Sequence, residues 1–107
     1  MQFSDIQFIE HGGRYGSSLG LNAGGYWVAK LRFEQMWQRA NATIQELNWS
    51  EPQTVVTIYG DKEDWLSYKV GARIALGRCL KHFADHDMLP IRVANPNKKG
   101  TRKYVRA

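Results

Sequence analysis

Five bases crowd the last ten residues of the chain, with no acid among them: Lys98, Lys99, Arg102, Lys103 and Arg106. Clustered positive charge attracts phosphates, acidic protein surfaces or anionic lipid, and the attraction weakens as salt rises. The chemistry these residues suit is phosphate neutralisation, with Tyr104 among them to stack on a base. The other ten bases are matched by ten acids, so the formal net charge of +5 resides in this segment. The pattern predicts an electrically balanced body over residues 1–97 and a mobile basic tail over 98–107.

Other residue sets invite chemistry and are weighed in turn. Lys69 and Arg73 stand four apart, share a helical face and extend the tail's footprint if the tail folds beside them. Arg78 and Lys81 lie elsewhere on the same helix and read as a solvated face. Arg14 and Tyr15 sit in a glycine-rich stretch and read as partner contacts. That stretch lacks both the Gly-Lys-Ser/Thr phosphate loop and the dinucleotide glycine pattern. Asp61, Glu63 and Asp64 have the residue types of a metal-dependent nuclease, but their place at a helix start explains them as capping groups. Cys79, His82 and His86 share a helical face, yet a structural zinc needs a fourth ligand and Cys79 falls on the apolar stripe. No metal and no cofactor is therefore expected.

These residues need elements to hold them. A chain of 107 residues forms one domain and buries roughly two-thirds of its unfolded surface. One cysteine allows no internal disulfide, which together with the lack of a signal-like N-terminus or membrane-length apolar run points to a cytoplasmic, non-membrane protein. Residues 2–9 read as a strand. Residues 12–25, with six glycines, read as a loop or an irregular hairpin. Residues 26–31 read as a strand, or as the start of a longer helix; a helix follows at 32–48 through Phe33, Met36, Trp37, Ala40, Ile44 and Leu47. The β-branched run Thr54–Tyr59 predicts a strand, and Trp65, Tyr68, Ala72, Leu76, Cys79 and Phe83 predict one helix over 62–86. Leu89–Val93 predicts an edge strand, because Pro90 lacks an amide proton, and strand–helix–strand over 54–93 suggests a crossover. Trp37 and Trp65 fall on core stripes, while Tyr26, Trp27, Trp49 and Tyr104 stand at element ends or in loops, where exposure suits stacking or an interface. The expected architecture is α+β: a three- or four-stranded sheet packed by two helices, with the basic tail.

One stretch resembles small phage and prophage proteins. It comprises Asp61-Lys-Glu-Asp64-Trp65 and then Gly71-Ala-Arg73-Ile-Ala-Leu76-Gly-Arg78-Cys-Leu80-Lys81. Those proteins place an acidic turn and an aromatic before a helix reading Gly-Arg-x-Ile-Ala-Leu-x-Arg-x-Leu-Lys; Ala72 stands here where their first arginine falls. The resemblance covers residues 61–81 and implies an accessory protein that binds host machinery, as anti-defence inhibitors do. The expected function is non-catalytic binding of nucleic acid or of a host nucleoprotein complex in defence or transcription. The alternatives are a protein–protein inhibitor acting through exposed aromatics and the glycine-rich loop, and a small metal-dependent nuclease.

Overall fold

A computed structural model of the protein describes residues 2–13, 16–94 and 100–107. Among them it shows an α+β fold with four α-helices and two three-stranded antiparallel sheets. The glycine-rich stretch is a hairpin, not a loop. Strands β1 (Ile9–Gly13) and β2 (Gly16–Ala23) pair from Ile9↔Gly20 to Gly13↔Gly16. Strand β3 (Tyr26–Ala29) then pairs with β2, ending at Ala23↔Tyr26. The two residues left between them, Gly24 and Gly25, have φ of 63° and 86°. Two positive φ values suit a hairpin turn of the primed type, which glycine adopts without steric cost. The expected strand over 2–9 is largely absent: Phe3–Asp5 forms a single 3-10 turn, and β1 starts at Ile9.

Helix α1 (Lys30–Thr43) follows β3 directly, so residues 26–29 are strand and the longer-helix alternative is set aside. Phe33, Met36 and Ala40 recur at three and four and are fully buried. They meet the buried stripe of α4 (Val70–Asp85), which comprises Leu76, Cys79, Leu80, Phe83 and Ala84. Phe83 packs edge-on against Phe33 and Trp37, with ring centroids 6.0 Å and 5.2 Å apart. Burying each such side chain contributes about 1.5–3 kcal/mol.

The run Thr54–Tyr59 overturns its expectation. Only Gln53–Thr54 is strand (β4), and Val55–Tyr59 is a short helix, α2. The Thr54 hydroxyl accepts from the Thr57 amide and caps it. Ile58 and Tyr59 are both buried although adjacent. A strand sends neighbours to opposite faces, so this demand of the core overrides β propensity.

The single helix expected over 62–86 is two, α3 (Lys62–Ser67) and α4. Tyr68 and Lys69 between them are extended, with ψ of 148° and 157°. The break lets Tyr68 reach back to Tyr59, hydroxyl to hydroxyl at 3.2 Å, while Trp65 stacks beside Tyr59 at 5.3 Å. Ser67, Tyr68, Val70 and Gly71 are indifferent helix formers, so little opposes it.

The second sheet corrects the basic tail. Strand β6 (Lys103–Arg106) lies in the middle of the order β4-β6-β5, where β5 is Ile91–Val93. Tyr104 pairs with both Gln53 and Val93 and is 1% exposed. The segment is therefore part of the fold from Lys103 onward. Its Lys-Tyr-Val-Arg order is a strand alternation that the surrounding charges conceal. Because β4 and β5 both run antiparallel to β6, they are parallel to each other but not neighbours, and the crossover between them is split by the C-terminal strand.

Candidate functional site

The C-terminal half of α4 presents a second face beside its buried stripe. Ile74, Gly77, Arg78, Lys81, His82 and Asp85 recur at three and four and so stand in one row. The β2–β3 turn, at Asn22–Gly24, closes one side of this row, and Arg102, just before β6, joins it from the other end of the chain. Together they enclose a cleft of about 740 Å³, within the range that takes a nucleotide-sized group.

Cations dominate this cleft. Arg78, Lys81 and Arg102 face one acid, Asp85, and the two imidazoles of His82 and His86. Lys81 pairs with Asp85 one turn on. Such exposed pairs contribute only a few tenths of a kcal/mol, so a phosphate competes readily with it. The Arg78 guanidinium sits 3.7 Å from the Tyr26 ring centroid. This cation–π contact orients the arginine while keeping its charge. His82 and His86 lie with ring centroids 4.2 Å apart. Burial, then the neighbouring His86, lowers the pKa of His82, partly opposed by Asp85. The negative end of the α4 dipole lies here and opposes anions, so attraction must come from the side-chain charges. At one end of the cleft Tyr104 is buried; burial pushes its phenol up to about 12, with Arg102 beside it acting in the other direction.

The residues expected to bind fall in several places. Arg102 lines the cleft. Lys103 is exposed on β6, outside it. Arg106 is exposed at its tip but donates to the Ile44 carbonyl at 3.4 Å, a structural contact. Tyr104 cannot stack on a base, because its ring is in the core. Lys69 precedes α4 and is exposed, while Arg73 is half-buried, with an Nε that finds no acceptor among the described residues; neither lines the cleft. Arg14, Tyr15, Lys98 and Lys99 lie outside the described residues. Of the aromatics at element ends, Tyr26 is exposed and Trp27 half-buried, whereas Trp49 packs against the core and donates to the Ile44 carbonyl at 3.0 Å.

Arg78 and Lys81, read from sequence as a solvated face, are the cleft's central cations. The signal was present in the spacing of Ile74, Arg78, Lys81 and Asp85. What it lacked was the opposing wall, supplied by a hairpin turn some fifty residues earlier.

The acidic set is committed internally. The Asp61 carboxylate accepts from the Asp64 amide at 3.0 Å, capping α3. Asp64 accepts from the Tyr59 hydroxyl, whose pKa is raised by burial and by that bond. Cys79 is fully buried, and burial pushes its thiol up to about 12, which makes it unreactive. Among the described residues no group of three or more His, Cys, Asp or Glu side chains is placed to hold a metal ion, and no helix is long and apolar enough to cross a membrane. Comparison finds no family model, curated protein or solved structure that matches this chain.

Proposed function

We propose that this protein is a non-catalytic accessory module of the phage type that binds nucleic acid, free or within a nucleoprotein complex, through the cleft between α4 and the β2–β3 turn. The observation that supports this most is the convergence of Arg78, Lys81 and Arg102 on one cleft with a single opposing acid. Three cations drawn from two distant parts of the chain form a charge-complementary seat for a phosphate backbone. Asn22 and the imidazoles add neutral hydrogen-bonding groups at the same place. The stretch resembling phage proteins, residues 61–81, contributes Arg78 and Lys81 to it.

Anisotropy of a labelled single-stranded oligonucleotide, titrated at 50 mM and 200 mM salt, tests the reading. Binding should weaken steeply with salt and fail in Arg78→Glu/Lys81→Glu. Salt-insensitive or unchanged binding in that variant would contradict it.

A second reading, a protein–protein inhibitor, draws on Val70 and Ile74. They stand one helical turn apart, 61% and 51% exposed, and Ile74 borders the cleft. A protein partner held there would lose affinity in Ile74→Asp with little dependence on salt.

A further inference from the structure

The outer face of the first sheet carries an aromatic surface next to the cleft. The register places Ile9, His11, Ser18, Gly20, Asn22, Trp27 and Ala29 on one face. Leu21, Ala23 and Val28 occupy the other, where they pack on the core. Trp27 is half-buried without belonging to that core.

Its position is fixed by a missing side chain. A Cβ on Gly20 would stand 2.7 Å from the six-membered ring of Trp27, closer than real atoms come. Gly20 is itself buried. The indole thus lies flat across β2, directly on the backbone, and reaches His11 on β1, with ring centroids 4.9 Å apart. A tryptophan held flat on a sheet, with a histidine beside it, is a platform on which a planar ring can stack.

The platform and the cleft are continuous. Trp27 pairs across the strands with Asn22, and Asn22 lines the cleft. Paired residues in such a ladder have Cα atoms about 5 Å apart. A base on Trp27 therefore places its own backbone toward Arg78, Lys81 and Arg102.

We propose that the ligand is single-stranded nucleic acid, with an unpaired base stacked on Trp27 and His11 while its phosphates occupy the cleft. A duplex keeps its bases paired and offers no free ring to this surface. The inference rests on the proposed function, since the cleft must hold the phosphates. Stacking tolerates any base, so the sequence preference is weak.

The two layers separate experimentally. The full-length protein is titrated with a labelled thymidine 12-mer, an abasic oligomer of the same length and charge, and a 12-base-pair duplex. The wild type should bind the thymidine strand about tenfold more tightly than the abasic one, an effect of the size of one stacked base. Trp27→Ala should bring the two to equal affinity, and Trp27→Phe should retain part of the difference. Arg78→Glu/Lys81→Glu should weaken both strands alike. Equal wild-type affinity for the thymidine and abasic strands, or preference for the duplex, overturns the stacking proposal and leaves the cleft reading standing. Failure to bind any of the three overturns both.

Discussion

Strand β6 and the open face of α4 carry the same kind of charge in different settings. In β6, Lys103 and Arg106 flank Tyr104, and the tyrosine decides what the segment is: a buried ring in the central strand of a sheet. Along α4, Arg78 and Lys81 stand beside a buried stripe but face outward, where Arg102 joins them. Positive charge in a sequence marks a surface in both cases. What separates structure from binding is the residue between the charges and whether a second element closes a cleft over them.

Stability should show the widest gap between the two regions. Tyr104→Ala removes a fully buried ring and should cost about 3–5 kcal/mol, as large aromatic truncations do. Lys103→Ala is exposed and should stay within about 0.5 kcal/mol. Urea titrations followed by circular dichroism measure both, and a small cost for Tyr104→Ala would return β6 to the status of an appendage.

Ligand binding should reverse the ranking. Arg78→Glu/Lys81→Glu should lower affinity for a single strand on the order of a hundredfold at low salt. Its folding stability should change by only a few tenths of a kcal/mol, because the pair lost, Lys81–Asp85, is exposed. A loss of binding that tracked a loss of stability would show that the cations hold the fold.

The acidic corner supplies a control. Asp61→Ala should cost about 1 kcal/mol, the usual value of a helix cap. Oligonucleotide affinity should not fall, since Asp61 lies outside the cleft. Thermal melts and anisotropy on the same sample decide this.

The smallest effect concerns pH. The folded protein protonates His82 less readily than the unfolded chain does, because burial and His86 lower its pKa from 6.5. Unfolding therefore takes up a proton below about pH 6.5, and stability should fall as pH drops through that window. His82→Gln should remove this part of the dependence. Bound phosphate favours protonated imidazoles, so affinity should rise over the same fall in pH. A fall in affinity toward pH 5.5 would place the histidines away from the ligand.

Much of the fold was legible where side-chain spacing alone sets the structure. The stripe Phe33, Met36, Ala40 and the stripe Leu76, Cys79, Phe83 are both found in the core. Three features were not legible, each because a distant part of the chain decides it. Val55–Tyr59 is helical because Ile58 and Tyr59 must both enter the core. The helix expected over 62–86 breaks so that Tyr68 can meet Tyr59. Lys103–Arg106 is a strand because β4 and β5 offer it two open edges. The cleft was half-legible: the row on α4 can be read from spacing, but its opposing wall at Asn22–Gly24 cannot.

The salt dependence of single-strand binding tests the central claim most directly. Each phosphate neutralised contributes about 0.7 to the slope of log affinity against log salt. Arg78→Gln/Lys81→Gln should therefore reduce the wild-type slope by about 1.4, while Lys103→Gln, on β6, should leave it near its starting value. An unchanged slope in the cleft variant, or a larger loss from Lys103→Gln, would contradict the assignment of the cleft as the phosphate seat.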